Sequence, residues 1–333
     1  MEDIQHILSQ LIDIPSVTGN EHKVAHFLRD YLNDKGMTAE LLPVSGDRFN
    51  VYARFSENPA VILTTHMDTV APFIPARIDN GAVYGRGACD AKGIMAAMIH
   101  AAIDLEQSLR KETGLLFVIG EEVDSIGAKT AAKGDIRPRF FINGEPTENK
   151  LVHAQKGTCL FQVKAKGKAT HSGYPQYGSS AINKLIDYLE KIRNYKWPKN
   201  ELGETLVNVG KIAGGEALNT LASSATAECS IRIVSSAKDV TDTLHNLLIK
   251  DVELDIYSAS DPVKLFCPAE IKETINVNYG SDVFYLQAAA EVLMLGPGTI
   301  LNAHTENEHI LISELMEAVE TYRDLVRILI KYL

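Results

Sequence analysis

The chain has 333 residues, of which 45% are hydrophobic and 23% charged, a composition typical of folded globular proteins and a length that suggests about two domains. Its 43 acidic residues outnumber 33 Lys and Arg, and the resulting net charge of -10 disfavours a broad nucleic-acid-binding surface. Glu2 and Asp3 open a segment unlike a secretory signal, and no apolar run reaches the length of a membrane span. The four cysteines form no CxxC pair, which predicts free thiols in a reducing compartment. We therefore predict a cytoplasmic protein.

Elements in the first 155 residues predict an α/β layer. Apolar periodicity indicates helices over 4–14 and 23–35 and a long helix over 91–109. Short β-branched runs indicate strands over 49–55, 60–65, 115–119 and 140–142. Strands that alternate with helices favour a mostly parallel sheet flanked by helices.

The character of the chain changes after residue 155. Strands are predicted over 158–165, 205–212, 225–233 and 253–257, with helices over 179–193 and 240–249. This β, α, β, β, α, β order is typical of a ferredoxin-like α+β domain. The remaining segment predicts helices over 282–293 and 310–333. We therefore predict a catalytic domain made of residues 1–155 and 268–333, with residues 156–267 forming an inserted domain.

Histidine and carboxylate residues follow several of the predicted strands. Ligands of open α/β sheets bind at the carboxyl ends of the strands, so these positions are candidates for a functional site. They are His66, Asp68, Glu121, Glu122 and Glu145, joined by Asp90 in the Gly-rich run GRGACDAKG and by His304 near the end of the chain.

Each of these residues also has an ordinary explanation when it is considered alone. His66 and Asp68 could be a strand-end histidine and a turn residue, and Asp90 could cap the helix that follows it. The adjacent Glu121 and Glu122 could be compensated by solvent, by a cation or by a proton. The Gly-rich run faintly resembles a phosphate loop, but it lacks the spacing of a dinucleotide fingerprint and the Lys-Ser/Thr of a Walker loop.

Together, two imidazoles and three carboxylates are a suitable ligand set for a pair of zinc-like ions. One histidine and one carboxylate would bind each ion, a shared carboxylate would bridge them, and a spare glutamate could act as a general base. Nitrogen and oxygen donors without thiolate favour zinc, cobalt or manganese over a Cys-bound structural zinc.

The sequence resembles the co-catalytic zinc aminoacylases and exopeptidases, which include acetylornithine deacetylase, succinyl-diaminopimelate desuccinylase and glutamate carboxypeptidase. The resemblance covers nearly the whole chain. It is carried, in the family's order, by HMDTV, GRGACDAKG, GEEVDSIGA, GEPT, KATHSGYPQYGSSAIN, NVGKIAGGEALN and GPGTILNAHTENE.

This resemblance implies two divalent metal ions per chain, zinc first, with cobalt or manganese as alternatives. His66 and Glu145 are expected to bind one ion, Glu122 and His304 the other, and Asp90 to bridge them. A cis peptide after Asp90 is also implied.

Further roles follow from the same resemblance. Asp68 is expected to orient the neighbouring metal-binding histidine, and Glu121 to deprotonate the attacking water and protonate the leaving amine. His171 is expected to reach the active site of the partner subunit and hydrogen-bond the oxyanion. Asn219 and Arg232 match substrate-binding positions, since an Arg fork can bind a carboxylate bidentately.

These features predict a dimetal amidohydrolase that removes the acyl group of an N-acyl amino acid, similar to acetylornithine deacetylase. We expect a homodimer in which residues 156–267 form a lid and dimerisation domain, with neither nucleic acid nor a membrane as partner. A di- or tripeptidase or carboxypeptidase of the same family, acting on a short peptide, is the alternative. A catalytically inactive metal- or small-molecule-binding protein on this scaffold is the alternative from another class, and nucleotide binding at the Gly-rich run is a third.

Overall fold

The computed structural model describes residues 4–333, which divide into two compact units. The first unit comprises the described chain up to His153 together with Leu265–Ile275 and Ser281–Leu333; the second comprises Ala154–Lys264 and Asn276–Gly280. Glu2 and Asp3 lie outside the described residues. Within residues 4–333, none of the helices combines the length and the apolar character needed to span a bilayer.

The secondary structure alternates between helices and strands along the chain. The helices are α1 Ile4–Asp13, α2 His22–Asp34, α3 Lys92–Asp104, α4 Gln107–Lys111, α5 Ile126–Lys133, α6 Ala181–Asn194, α7 Ala237–Asn246, α8 Val283–Leu286 and α9 Ile312–Leu329. The strands are β1 Thr38–Ser45, β2 Arg48–Arg54, β3 Val61–His66, β4 Arg77–Asp79, β5 Ala82–Tyr84, β6 Thr113–Val118, β7 Phe140–Asn143, β8 Val152–Gln155, β9 Gly157–Lys166, β10 Lys199–Asn200, β11 Gly203–Glu204, β12 Leu206–Gly214, β13 Ser224–Ile233, β14 Val252–Ser260, β15 Val263–Lys264, β16 Ile275–Val277, β17 Glu291–Met294 and β18 His309–Leu311.

A mixed sheet in the order β1-β2-β6-β3-β7-β17 forms the centre of the first unit. Strand β3 pairs in parallel with β6 and β7, β17 extends the parallel part beyond β7, and β1 and β2 add an antiparallel edge. Every residue of β3, β6 and β7 is buried, as expected of parallel strands covered on both faces. The predicted α/β class with a mostly parallel sheet is confirmed.

Helix α3 packs against the sheet and against α1 and α9. It is buried nearly all round, which its small residues Ala96, Ala97, Ala101 and Ala102 permit. The loop that carries Asp90 leads directly into this helix, so one end of the loop is fixed to the core of the unit.

The second unit has the predicted β, α, β, β, α, β order, formed by β9, α6, β12, β13, α7 and β14. Its strands form an antiparallel sheet in the order β12-β13-β9-β14. Ser180 and Ser236 cap α6 and α7 through side chains that accept hydrogen bonds from the backbone of Asn183 and Asp239. The ferredoxin-like arrangement is therefore confirmed.

Several predicted helices have other bounds in the structure, and three of these differences concern how the first unit is built. The helix predicted over 282–293 is wrong, because only Val283–Leu286 is helical and Glu291–Met294 forms β17, where its buried apolar side chains complete the sheet. The helix predicted over 91–109 ends at Asp104, where Leu105 adopts an extended conformation. The helix predicted from residue 310 begins at Ile312, because β18 first pairs with β5.

Candidate active site

The carboxyl ends of β3, β6 and β7 bring the first group of predicted residues into one region of the first unit. His66 is the last residue of β3, while Glu121 and Glu122 follow β6 and Glu145 follows β7. These strands are parallel neighbours, so their carboxyl ends meet at the same edge of the sheet.

His66 and Asp90 are in direct contact. The Nε2 atom of His66 lies 2.9 Å from Oδ1 of Asp90, and its Nδ1 lies 3.0 Å from the backbone oxygen of Asp68. A carbonyl oxygen can only accept, so Nδ1 must carry a proton. In a neutral ring, Nε2 is then an acceptor that faces an acceptor. A cation must therefore lie between His66 and Asp90, either a proton or a metal ion.

Asp90 also approaches the second predicted histidine. Its other oxygen, Oδ2, lies 3.4 Å from Nε2 of His304, and that same nitrogen lies 3.0 Å from Oε1 of Glu122. Ligand atoms of His66, Asp90 and Glu122 all lie within 4.8 Å of one another. Each oxygen of Asp90 thus faces a different histidine, an arrangement suited to a bridging carboxylate. The cis peptide between Asp90 and Ala91 is present.

The pKa values of the two histidines reflect these carboxylates. Burial opposes a charged imidazole at His66, but the hydrogen bonds with Asp68 and Asp90 raise its pKa well above the usual value. Hydrogen bonds with Asp90 and Glu122 raise the pKa of His304 to about 10. Without another cation, the site therefore keeps protons on its histidines.

The pKa values of Glu121 and Glu145 are also raised well above the usual value. Burial is the main cause for both, and the negative charge of Glu145 adds to it at Glu121. At Glu145, the charge of His66 opposes the shift while that of Asp90 adds to it. Carboxylates crowded in this way bind protons or metal ions to reduce their repulsion, so the donor set fits divalent cations.

Asp68 connects His66 to the loop that carries the two adjacent glutamates. Its carboxylate accepts hydrogen bonds from the backbone N–H groups of Glu121 at 3.1 Å and Glu122 at 3.2 Å, and from Thr18 Oγ1 at 2.7 Å. The same carboxylate lies 3.6 Å from Nδ1 of His66, farther than the Asp68 backbone oxygen. Burial would raise the pKa of Asp68, but interactions with His66 and these donors lower it.

The sequence profile of peptidase family M20/M25/M40 matches residues 62–328. The chain belongs to this family. The predicted resemblance is confirmed, and so is the prediction of a hydrolase that acts on amide bonds.

Individual members of the family extend the comparison. A peptidase M20 domain-containing protein of Schizosaccharomyces pombe is 40% identical over 95% of this chain and 82% of its own length. A probable carboxypeptidase of Aspergillus clavatus is 36% identical over 95% of this chain and 86% of its own. The crystal structure of a tripeptidase from Staphylococcus aureus has a TM-score of 0.81 and 23% identity, with 98% of each chain covered. The names of these relatives are those of peptidases and a carboxypeptidase, and the acetylornithine deacetylase-like prediction is not confirmed.

The other predicted residues, His171, Asn219 and Arg232, belong to the second unit. The backbone N–H of Ser172 donates to the carbonyl of Asn219 at 2.8 Å, so His171 and Asn219 lie on neighbouring loops, both exposed. Nδ1 of His171 accepts a hydrogen bond from Gly173 at 3.1 Å. Arg232 is the next-to-last residue of β13, about 25 Å along the strand from Ser224, the first residue of β13 and the one nearer to Asn219 in the chain. The second unit therefore brings His171 and Asn219 together but not Arg232.

Among the buried charged residues of the first unit, sequence reasoning missed three that act on the candidate site or on its loops. Asp282, whose pKa burial raises to about 7, adds to the negative charge that acts on Glu121 and Glu145. Arg86 and Glu308 form a buried ion pair at 2.6 Å. Arg86 lies in the GRGACDAKG motif, and Glu308 is the last residue of GPGTILNAHTENE. The signal that could have identified them is an unassigned charge in each motif.

Proposed function

We propose that this protein is a metal-dependent exopeptidase that hydrolyses short peptides with a free C-terminal carboxylate. The observation that carries the proposal is the placement of Asp90, whose two oxygens lie 2.9 Å from Nε2 of His66 and 3.4 Å from Nε2 of His304. The half-buried Glu121 beside this cluster would supply the general base that hydrolysis needs.

The proposed ligands are those named from the sequence. His66 and Glu145 would hold one ion, Glu122 and His304 would hold the other, and Asp90 would bind both. Zinc is the first choice of metal, with cobalt or manganese as alternatives. When bound, such ions polarise the scissile carbonyl and lower the pKa of a water molecule.

Glu121 would take the proton from the attacking water and deliver it to the leaving amine. Burial and the neighbouring carboxylates raise its pKa, which suits a residue that must accept a proton at neutral pH. Asp68 binds the Glu121 backbone N–H at 3.1 Å and so serves as a positioning residue.

The second unit would supply substrate contacts and a dimer interface. We propose that His171 of one subunit stabilises the oxyanion in the active site of the other, and that Asn219 and Arg232 bind substrate. The division into a catalytic domain of residues 1–155 and 268–333 and a lid and dimerisation domain of residues 156–267 is part of the same proposal. A cytoplasmic location is supported by four free cysteines, none of them in a disulfide.

The experiment compares four leucine derivatives that differ in the acyl group on the leucine nitrogen or in the carboxyl end: Ala-Leu, benzyloxycarbonyl-Ala-Leu, Ala-Leu-amide and N-acetyl-leucine. The chelated protein is reconstituted with zinc, cobalt or manganese before each assay. We expect Ala-Leu and benzyloxycarbonyl-Ala-Leu, which both have a free carboxylate, to be cleaved at the Ala-Leu bond. We expect Ala-Leu-amide to be cleaved poorly.

Other outcomes would point to other functions. Cleavage of N-acetyl-leucine alone would contradict the peptidase proposal and favour the deacylase. Absence of turnover with ions bound would favour a binding protein.

A further inference from the structure

The buried pair Arg86–Glu308 joins two loops that are far apart in the sequence. Their side chains are almost completely buried, and Nη1 of Arg86 donates to Oε2 of Glu308 at 2.6 Å across a separation of 222 residues. One loop carries Asp90 and the other carries His304. The pair therefore connects the loops of two proposed metal ligands.

The second oxygen of Glu308 organises the Asp90 loop. Oε1 accepts three backbone hydrogen bonds, from Gly87 at 3.0 Å, Cys89 at 3.1 Å and Asp90 itself at 3.1 Å. Such convergent N–H groups form an anion-binding nest. Gly87 adopts a φ of 86°, a conformation that side chains rarely allow. Because a carboxylate of the chain itself fills this nest, nucleotide binding at the Gly-rich run has no support from the structure.

Arg86 fixes the other loop. Its Nη1 also donates to the carbonyl of Thr305, adjacent to His304, at 3.1 Å, and its Nε donates to the carbonyl of Pro72 at 3.2 Å. His304 has a φ of 63°, so its backbone conformation needs support from its neighbours. The guanidinium also neutralises Glu308, which otherwise would add a negative charge beside Asp90.

We propose that Glu308 and Arg86 are positioning residues that set the separation of Asp90 and His304 for metal binding. This inference rests on the proposed function. It predicts that loss of the pair weakens metal binding and alters the ligand geometry beyond any effect on folding. Partners that orient metal ligands usually contribute roughly 10- to 100-fold to metal affinity or activity.

The experiment uses the full chain with cobalt as the probe, because the visible absorption of Co²⁺ reports its ligand geometry. Glu308→Gln keeps the shape of the side chain but places an amide N–H₂ against the guanidinium of Arg86 or the backbone N–H groups, which are themselves donors. Glu308→Asp keeps the charge but is too short for the three backbone contacts. Arg86→Lys keeps a cation but cannot maintain all the contacts of the guanidinium. Tyr188→Phe, which removes a buried hydrogen bond at 2.7 Å to Leu244 in the second unit, is the matched control for lost stability.

We expect roughly 10- to 100-fold weaker cobalt affinity and a changed cobalt spectrum in all three variants of the pair, with Tyr188→Phe unchanged. Melting curves measured without metal identify the variants that fold. If Glu308→Gln does not fold, Arg86→Lys is used to test the inference. A wild-type affinity and spectrum in any folded variant of the pair would overturn the inference. A normal Glu308→Asp protein beside an impaired Glu308→Gln protein would also overturn it, because charge rather than position would then matter.

The wild-type protein distinguishes this inference from the proposed function. If it binds cobalt and cleaves peptides, the variants test the positioning role alone. If it does neither, the proposed function fails and the inference fails with it.

Discussion

Replacement of Asp68 by Asn tests how the Glu121–Glu122 loop is positioned. The two carboxylate oxygens of Asp68 accept hydrogen bonds from different backbone groups, Glu121 N–H on Oδ1 and Glu122 N–H on Oδ2. An amide of the same shape offers one oxygen, so its N–H₂ must face at least one of these donors. A buried donor left without a partner costs about 1–3 kcal/mol, and we expect unfolding free energy to fall by about 2 kcal/mol.

The catalytic effect should exceed this loss of stability. The orphaned N–H can be relieved only by a shift of the loop, and a displacement of about 1 Å can lower turnover roughly 100-fold. We expect kcat to fall by about that factor with KM little changed, since Glu121 acts in the chemical step.

Steady-state kinetics on Ala-Leu, metal analysis and urea unfolding are measured on the same Asp68→Asn preparation. Asp13→Asn is the control, because Asp13 accepts a similar backbone hydrogen bond from Ala76 at 2.8 Å in the same unit. A folded Asp68→Asn protein with wild-type kcat would refute the positioning role.

Three further predictions concern the proposed metals and the proposed dimer. The pKa values of His66 and His304 are raised in the metal-free protein, so metal ions must displace protons when they bind. Metal affinity, measured with a competing chelator, should therefore rise with pH between about 6 and 8. An affinity that does not change with pH would contradict this prediction. Metal titration should show about two ions per chain, with Glu145→Ala weakening one site and His304→Ala the other; a single site unaffected by both changes would contradict the assignment. Subunits carrying His171→Ala, mixed with subunits carrying Glu121→Gln, should recover roughly a quarter of wild-type activity, because about half of the proposed dimers would be hybrids with one complete site. If subunit exchange is confirmed and the activity is no higher than the average of the two parent proteins, action of His171 on the partner's site is excluded.

Much of the candidate site was predictable because it depends on local sequence. The apolar run before His66 identifies a buried strand, and the rule that ligands bind at strand carboxyl ends then selects the side chains that follow. The same logic located Glu122 and Glu145. Family resemblance was needed to assign each residue to an ion, since spacing alone does not pair ligands.

The parts that sequence reasoning missed depend on long-range contacts. The short apolar segment Val292–Met294 is compatible with a helix or a strand, and only the open edge of β7 selects the strand. Glu308 and Arg86 likewise look like ordinary surface charges until the fold buries them together. An unassigned charge in each motif marks the two residues, but no local feature of the sequence pairs them across a separation of 222 residues.

The most direct test of the proposed function is the Glu121→Gln protein, assayed for metal content and peptide cleavage in the same sample. The substitution keeps the size of the side chain but removes its ability to accept the proton of the attacking water, and loss of a general base typically costs roughly 10²- to 10⁴-fold in rate. We predict an unchanged metal content with at least about a 100-fold loss of kcat on Ala-Leu. Turnover close to that of the wild type, with the same metal content, would contradict the proposed mechanism.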